Sequence, residues 1–397
     1  MNIQNLNPDN PVVLPDYENC NLGIMSSIAK YYGATIPTKS LPLLDETLER
    51  KRSRNTVWFI MDGMGSRVLE KNISADSWLR KQKKCDLTAI FPCTTTAVMT
   101  SFFSGKEPIS HAWLGWTLYF SDWNRCIDVF PFRDTFTGEK LDYSTYNILS
   151  FMETPRIFDQ IDEATEKRVS IDLVLTKTAR TRILELAEGR YQLVDTLNDL
   201  VEQVSLKCAE PGEHFIIAYW KSPDSLIHPH GMTSPIVRDF LNEASELFGN
   251  TLPNLTDATV FMSADHGLTD MKQHLHLDQM PEIVELMRSY PGGDPRCKAL
   301  YVKPGKEDLF AARFRARVPA SEYCLVHTDE AIASGLFGLT EVHPRSKGFL
   351  GDFLAIGVGA SDLLFADPKG GRPAAEFIGH HAGLTADEMI VPLIIAE

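Results

Sequence analysis

The sequence predicts an α/β fold with a mostly parallel central sheet, helices on both faces and a cap insertion. Several short apolar runs are bounded by turn residues and separated by segments that suit helices, which is the α/β pattern. Hydrophobicity within the runs is continuous rather than alternating. This indicates strands covered on both faces, as in a parallel sheet. A chain of 397 residues, 44% of them hydrophobic, is long enough to bury a large core.

Six apolar runs are the predicted strands. In chain order they are 56–63, 85–92, 214–220, 258–267, 352–359 and 388–397. Four other segments have the apolar spacing of helices. They are 22–32, 96–104, 190–208 and 234–249.

Two long regions do not follow this alternation of strand-like and helix-like segments. Residues 108–165 are rich in aromatic side chains, and residues 271–350 contain charge-rich and Pro/Gly-rich pieces. We predict one core domain over 1–397, with a helical N-terminal lead at 1–54 and insertions at 108–165 and 271–350. The aromatic side chains of the first insertion either enclose part of a ligand or form the apolar core of a cap, and both interpretations stay open.

The charge balance bears on the class of partner. The chain has 39 Lys plus Arg against 53 Asp plus Glu, a formal net charge of −14. Binding of a nucleic-acid polymer depends on clustered cations, so an acidic chain argues against it. Small phosphate-bearing ligands remain compatible if a metal ion supplies the positive charge.

Cysteine usage and apolar runs bear on the compartment. The seven cysteines are scattered and form no CxxC pair, which argues against a disulfide framework and a cysteine zinc site. The first 20 residues lack the basic and apolar regions of a signal peptide, and no apolar run is long enough to span a membrane. We therefore expect a cytoplasmic protein; the sequence does not indicate its oligomeric state.

Polar side chains follow four of the predicted strands. In open α/β sheets, ligands bind outside the carboxyl ends of the strands. The side chains expected at that edge are carboxylates, imidazoles and a threonine cluster: Asp62, Thr94, Thr95, Thr96, Asp224, His228, Asp265 and His266. The segment "GHHAGLT" (379–385) adds His380 and His381 before the last strand.

Each of these pieces has a structural interpretation when taken alone. Asp-Gly after a strand is usually a turn, Asp-His a hydrogen-bonded pair, and a threonine cluster before a helix an N-cap. Together they indicate metal binding, since oxygen and nitrogen ligands without thiolates suit zinc, and manganese or iron less well. Three Asp and three His would fill two sites that clamp a phosphoryl group, and a threonine at a helix N-terminus could be the nucleophile.

Five segments, in this order, resemble the metal-binding motifs of the alkaline phosphatase superfamily. They are "FIMDGMG", "FPCTTTAVMTSFFSG", "PDSLIHPHG", "SADHG" and "HHAGLTADEMIVPL". The nearest branch is the type I phosphodiesterase/nucleotide pyrophosphatase group, and the resemblance covers 55–107, 210–270 and 350–397. It implies an alkaline-phosphatase-like sheet and hydrolysis of phosphate esters.

The resemblance also implies roles for individual residues. One metal ion would be bound by Asp224, His228 and His381, and the other by Asp62, Asp265, His266 and the nucleophile. The nucleophile is Thr95, with Thr94 and Thr96 beside it to bind the phosphate. His381 is preferred to His380 because it directly precedes "AGLT". The implied cofactor is a pair of divalent ions, zinc in the first place and manganese as the alternative.

Three functional hypotheses follow. The first is a two-metal phosphodiesterase/nucleotide pyrophosphatase-like hydrolase of a small phosphate ester, acting through a phosphothreonine intermediate. The second is a phosphomonoesterase, phosphonate hydrolase or phosphomutase on the same core. The third is a non-catalytic metal- or ligand-binding protein. Separately, His274, His276 and Asp278 form either a further metal site or an ordinary polar face.

Overall fold

The computed structural model describes residues 7–148, 152, 154–177, 190–367 and 370–396. The strands are β1 (Asn55–Met61), β2 (Lys83–Thr88), β3 (Thr117–Phe120), β4 (Arg125–Asp128), β5 (Arg133–Asp134), β6 (Val169–Thr176), β7 (Tyr191–Val194), β8 (Glu213–Trp220), β9 (Ala258–Ser263), β10 (Thr269–Asp270), β11 (Gln273–His276), β12 (Gly292–Asp294), β13 (Cys297–Leu300), β14 (Tyr323–His327), β15 (Phe353–Gly357), β16 (Ser361–Leu364), β17 (Gly379–His380) and β18 (Ile390–Ile395).

The helices are α1 (Leu22–Tyr31), α2 (Pro42–Lys51), α3 (Ser66–Asn72), α4 (Trp78–Gln82), α5 (Thr95–Ser104), α6 (Pro108–His111), α7 (Ile157–Ala164), α8 (Leu197–Ala209), α9 (Asp224–His230), α10 (Pro235–Thr251), α11 (Pro281–Val284), α12 (Glu307–Arg317), α13 (Thr328–Ala333), α14 (Ser346–Leu350) and α15 (Ala386–Met389). Short 3-10 turns occur at Leu252–Asn254 and Leu277–Gln279.

A seven-stranded sheet forms the centre of the molecule. Its strand order is β2-β18-β9-β1-β8-β6-β7. Strand β1 pairs in parallel with β8 and β9, and β6 pairs in parallel with β7 and β8. Strand β18 runs antiparallel to both β2 and β9. The predicted α/β class with a mostly parallel sheet is confirmed, and the carboxyl ends of the parallel strands meet at one edge.

Strand β1 shows why the apolar runs are continuous. All seven of its residues are buried. The Trp58 ring packs on Phe102 of α5 with ring centroids 4.7 Å apart, while the neighbouring Phe59 packs on Phe248 of α10 at 5.4 Å. Successive side chains of a strand point to opposite faces, so helices cover both faces of the sheet.

The segment 190–208 differs from the sequence prediction of one helix. Residues Tyr191–Val194 form β7 and pair with β6, a strand that the sequence analysis missed, before α8 begins at Leu197. The Thr196 side chain accepts a hydrogen bond from the Asp199 backbone, and the Asp199 side chain accepts one from the Thr196 backbone. This capping box fixes the start of the helix.

Two other elements were predicted incompletely. The N-terminal lead contains a second helix, Pro42–Lys51, in addition to Leu22–Tyr31. The apolar run at 352–359 forms β15, which pairs with β13 and β14 in a separate four-stranded sheet and not in the central one. An apolar run predicts a strand, but it does not indicate which sheet that strand joins.

Smaller sheets surround the central one. Strands β3, β4 and β5 form an antiparallel sheet within residues 108–165, and β12, β13, β15 and β14 form the four-stranded sheet. The latter has its own apolar cluster, which includes Phe310, Phe314 and Phe353. The division into one core domain, a lead at 1–54 and insertions at 108–165 and 271–350 stays a prediction. Among the described residues, no helix has both the length and the apolar character needed to cross a membrane.

Candidate active site

The exits of three neighbouring strands are tied to one another by hydrogen bonds. Asp62 follows β1, Asp224 follows β8 and Asp265 follows β9. The backbone N–H of Asp224 donates to the backbone oxygen of Asp62 over 2.9 Å. The N–H of Gly63 donates to Asp265 Oδ1 over 3.1 Å. The predicted acidic residues therefore share one edge of the sheet.

Asp62, Asp265 and His266 form the first cluster of side chains with metal-ligand geometry. One potential ligand atom from each lies within 4.8 Å of the others. His266 Nε2 lies 3.3 Å from Asp265 Oδ2 and 3.6 Å from Asp62 Oδ1. Thr95 Oγ1 lies 3.2 Å from the same His266 nitrogen. The predicted nucleophile is thus placed beside this cluster.

The second cluster is formed by Asp224, His266 and His381, whose ligand atoms also lie within 4.8 Å of one another. Asp224 Oδ1 lies 3.2 Å from His228 Nε2 and 3.8 Å from His381 Nε2. The His266 and His381 rings are stacked, with centroids 3.8 Å apart. His266 therefore stands between the two predicted groups, a position that the order of the motifs did not indicate.

The hydrogen bonds of the three histidines fix their tautomer. Each Nδ1 atom lies within hydrogen-bonding distance of a backbone carbonyl oxygen, which can only accept. The pairs are His228 with Gly379 at 2.8 Å, His266 with Gly267 at 3.1 Å and His381 with Cys93 at 3.1 Å. Each Nδ1 therefore carries a hydrogen, and a ring of this tautomer presents its Nε2 lone pair on the side of the carboxylates. Metal-binding histidines are held in this way.

Three carboxylate oxygens in the site are buried without a hydrogen-bond donor in the described part of the chain. They are Asp62 Oδ1, Asp224 Oδ1 and Asp265 Oδ2. Burial, followed by the charges of Asp265 and Asp224, raises the pKa of Asp62 well above its ordinary value. A positive charge between them would stabilise buried ionised carboxylates that face imidazole lone pairs. The donor set of carboxylates and Nε2 atoms fits divalent metal ions such as zinc.

The three threonines of the predicted cluster occupy different positions. Thr95 is the first residue of α5, and Thr94 is its N-cap residue. Thr94 Oγ1 donates to Asp294 Oδ1 over 3.4 Å. The hydroxyl of Thr96 is buried with no hydrogen-bond partner among the described residues. Thr94 and Thr95 line the cavity described next, whereas Thr96 is not among its lining residues.

A cavity of about 700 Å³ opens from the metal-ligand clusters. Aromatic residues form much of its wall, including Trp116, Phe130, Phe136, Phe365 and Phe377. The wall also includes four cationic side chains, from Arg133, Lys221, Lys298 and Arg372. The size and apolar walls suit a small organic ligand. The aromatic insertion thus contributes both to an apolar core and to this wall.

Three residues of the site were missed in the sequence analysis. The Tyr219 hydroxyl donates to Asp62 Oδ2, Asp294 accepts from Thr94, and Lys298 lines the cavity. Burial raises the pKa of Asp294 to about 6. Asp294 and Lys298 lie in the segment "SYPGGDPRCK" (289–298), whose composition indicates turns within an insertion. Only the β12–β13 hairpin brings that segment to the cavity.

The segment with His274 and His276 forms ordinary polar pairs. His274 Nδ1 contacts Asp362 Oδ1 over 2.8 Å, and His276 Nε2 contacts Glu376 Oε1 over 3.1 Å. Asp278 accepts from a backbone N–H. In the described part of the chain these side chains form no metal-ligand cluster, and the polar-face interpretation accounts for them.

Comparison with known families identifies the family of the chain. The sequence model of the type I phosphodiesterase/nucleotide pyrophosphatase family matches residues 56–357, more than half of the chain. The chain belongs to this family. It is therefore a phosphoester hydrolase of the alkaline phosphatase superfamily by family membership. No curated protein sequence matches the chain significantly.

Solved structures with this fold come from the same superfamily. Murine ectonucleotide pyrophosphatase/phosphodiesterase 5 superposes with a TM-score of 0.61 and 14% identity, over 85% of this chain and 87% of that one. Phosphonoacetate hydrolase from Sinorhizobium meliloti 1021, in complex with phosphonoacetate, superposes with a TM-score of 0.63 and 17% identity, over 86% of this chain and 90% of that one. These similarities confirm the alkaline-phosphatase-like fold.

Proposed function

We propose that the protein is a two-metal phosphodiesterase/nucleotide pyrophosphatase-like hydrolase in which Thr95 attacks phosphorus. The observation that carries the proposal is the position of Thr95 Oγ1, at the N-terminus of α5 and 3.2 Å from His266 Nε2. Around it lie buried carboxylate oxygens that have no hydrogen-bond donor among the described residues. A hydroxyl, a helix N-terminus and two ligand clusters at one point suit phosphoryl transfer.

The proposed ligand sets start from the two clusters, and in the second set His228, whose Nε2 lies 3.2 Å from Asp224 Oδ1, takes the place of His266. Asp62, Asp265, His266 and Thr95 would hold one metal ion, and Asp224, His228 and His381 would hold the other. Two divalent ions, when bound, supply Lewis-acid stabilisation of phosphoryl charge and lower the pKa of a bound hydroxyl. Zinc suits the oxygen and nitrogen donors, and manganese is the alternative. The identity and number of the metals and the cytoplasmic location stay predictions.

The chain's own groups would act as follows. Thr95 Oγ gives up its proton and forms a bond to phosphorus while the bond from phosphorus to the leaving oxygen breaks. The leaving oxygen takes a proton, and Thr95 carries the phosphoryl group as a phosphothreonine. Water then attacks phosphorus and releases the Thr95 hydroxyl. Backbone N–H groups at the start of α5 face the negative charge on the phosphoryl oxygens.

The family and the cavity favour a small phosphate diester or pyrophosphate as substrate. The inactive threonine-to-alanine variant of the murine pyrophosphatase/phosphodiesterase 5 was solved in complex with AMP, which supports a nucleotide-sized ligand for this fold. The cavity volume of about 700 Å³ is sufficient for such a ligand. Phosphonate hydrolysis is the second candidate, because the phosphonoacetate hydrolase has the same fold over most of both chains.

The first test compares bis-p-nitrophenyl phosphate with p-nitrophenyl phosphate as substrates of zinc-loaded protein, with a chelator control. Faster hydrolysis of the diester, lost with chelator, supports the proposal. Faster hydrolysis of the monoester contradicts the diesterase part and favours a phosphomonoesterase. Turnover of phosphonoacetate alone favours the second candidate. No turnover of any of these by metal-loaded protein favours a binding protein.

A further inference from the structure

Lys298 is a buried lysine in the wall of the cavity. Its exposed fraction is 7%, and it lines the cavity that contains Thr95 and Asp62. Among the described residues its ammonium has neither a hydrogen bond nor an ion pair with a carboxylate. Lysine is almost never buried unless it is paired. Holding it here without a partner costs folding free energy, so its place in the fold requires another explanation.

The nearby acidic residue does not supply the missing partner. Asp294 lies in the same hairpin as Lys298, and its charge acts on the ammonium from a distance. Both of its carboxylate oxygens are used elsewhere. Oδ1 accepts from the Thr94 hydroxyl over 3.4 Å, and Oδ2 accepts from the Trp116 backbone N–H over 3.1 Å. Asp294 thus joins α5 to the cap, and the Lys298 ammonium stays available to the cavity.

The residue opposite Lys298 in the hairpin has no side chain. In the hairpin, Lys298 is paired with Gly293, which also lines the cavity. Gly293 has a φ of +76°, and a Cβ atom there would lie 2.1 Å from the backbone oxygen of Cys297. A residue without a side chain is therefore required directly across from the lysine. Both residues of this hairpin pair line the cavity.

The other cations of the wall are arranged differently. Arg133 donates from Nε to Asp128 Oδ2 over 3.0 Å and is neutralised by that pair. Lys221 is half-buried, Arg372 is exposed, and no carboxylate pairs with either in the described ranges. The chain carries a net charge of −14, yet three cations without a carboxylate partner among the described residues line this cavity. Lys298 is the buried one of the three, so its ammonium depends most on an anionic ligand for a partner.

We propose that Lys298 binds a second anionic group of the substrate, a carboxylate or a further phosphate, while the reacting phosphorus lies at Thr95. This inference rests on the proposed function, because it assumes that the phosphorus is bound at the ligand clusters. An anion bound in the cavity would provide the negatively charged partner that Lys298 lacks among the described residues. A charge-assisted hydrogen bond of this kind has the strength to select anionic substrates over neutral ones.

The test measures binding in zinc-loaded Thr95→Ala protein, in which turnover is not expected. Calorimetry compares two ligand pairs that differ by one anionic group: phosphonoacetate with phosphonoacetamide for the carboxylate, and ADP with AMP for the phosphate. The additional anion in at least one pair is expected to tighten binding about tenfold. Adding Lys298→Met to this protein should bring that ratio close to one. The affected pair identifies the anionic group.

Two further variants and one measurement keep the test decisive. Lys298→Gln retains a polar side chain of similar length, and its affinity ratio should also fall close to one. Lys306→Met removes an exposed lysine outside the cavity and should keep the affinity ratio of the parent. The melting temperature of Lys298→Met without ligand should equal or exceed that of the parent, because an unpaired buried charge has been removed. A clear decrease would show that Lys298 supports the fold and would count against the proposal.

The inference is overturned if both ligand pairs keep their affinity ratio in Lys298→Met, or if the parent protein shows no preference for the additional anion. These results are separate from the outcome for the proposed function. Hydrolysis of phosphate esters by the wild-type protein tests that function, whereas the binding ratio tests the anion subsite in a protein that does not turn over.

Discussion

His266 and His381 lie face to face, with ring centroids 3.8 Å apart and planes inclined by 20°. Each ring donates its Nδ1 hydrogen to a backbone carbonyl, to Gly267 and Cys93 respectively. Two imidazoles held in this way direct their Nε2 atoms to the same region as the Asp224 carboxylate. The arrangement is consistent with the two adjoining metal sites that we propose.

Metal content should therefore fall in steps when single ligands are removed. Zinc-loaded wild-type protein should contain about two zinc ions per chain, and His381→Ala or Asp265→Asn about one, because each removes a ligand of one proposed site. His276→Ala is the control, since His276 pairs with Glu376 outside the site. Mass spectrometry of the dialysed proteins gives the ratio. Two zinc ions per chain in His381→Ala would contradict its assignment as a ligand.

Gly63 positions two acidic residues of the site. It has a φ of +71°, its N–H donates to Asp265 Oδ1, and a Cβ atom would lie 2.8 Å from Asp224 Cβ. Gly63→Ala should lower kcat/KM at least about tenfold, because displacement of a ligand by a fraction of an ångström disturbs the reacting geometry. Gly305→Ala is the matched control, with a φ of +74° and no atom within 4 Å of the added Cβ. Equal activity losses in the two variants would show that backbone strain alone is responsible.

A buried ion pair supports the loop that carries His381. Glu388 accepts from Arg296 Nε over 2.6 Å and from the Gly383 N–H over 2.7 Å, and both charged side chains are fully buried. Arg296→Met leaves the carboxylate unpaired, so the free energy of unfolding should fall by about 3–5 kcal/mol. Urea unfolding measures it.

The matched control for this ion pair is the exposed pair of Arg52 and Glu49. Arg52→Met should change the free energy of unfolding by less than about 1 kcal/mol, because an exposed pair is screened by water. A loss in Arg296→Met no larger than that in Arg52→Met would contradict the supporting role of the buried pair.

His111 makes stability depend on pH at a distance from the metal-ligand clusters. Its Nδ1 accepts from the Trp113 backbone N–H over 3.0 Å, so its Nε2 donates to Ser101 Oγ over 2.9 Å. Burial lowers the pKa of His111 from its ordinary 6.5 to about 3. Between these values the unfolded chain binds a proton that the folded protein does not bind. The free energy of unfolding therefore falls as the pH is lowered through this window.

The contribution of His111 is measured with His111→Gln. Urea unfolding of both proteins from neutral pH down to about pH 4, with chelator throughout, should give the wild type the steeper loss, by up to about 1.4 kcal/mol per pH unit. The chelator removes any contribution from metal release. Parallel pH profiles for the two proteins would rule out His111 as the source.

The parts of the site that the sequence predicted share one physical feature. Asp62, Asp224 and Asp265 each follow the end of a buried strand by one to four residues, and parallel pairing brings such exits to one edge of the sheet. His381 was assigned through the motif resemblance, and the structure places its ring against His266. Local pattern and sheet geometry together were sufficient to place the three carboxylates at one edge, whereas His381 depended on the resemblance; the roles of all four as metal ligands stay predictions.

The remaining features depend on long-range pairing, which a local pattern does not encode. Lys298 reaches the cavity because the β12–β13 hairpin pairs it with Gly293. Strand β6 begins with alternating burial and pairs with β7 and β8, so its sequence lacks the continuous apolar run of the other core strands. The helix predicted from residue 190 begins at Leu197 because the edge strand β7 takes up the preceding residues.

The most direct test of the central claim is the activity of Thr95→Ala, with zinc content determined on the same samples. The account predicts that kcat for the preferred phosphorus ester falls at least about 1,000-fold while the zinc content stays near that of the wild type, because Thr95 forms the bond to phosphorus. Thr100→Ala, which removes a hydroxyl from the same helix, should retain activity. Full activity of Thr95→Ala with metal bound would contradict the account.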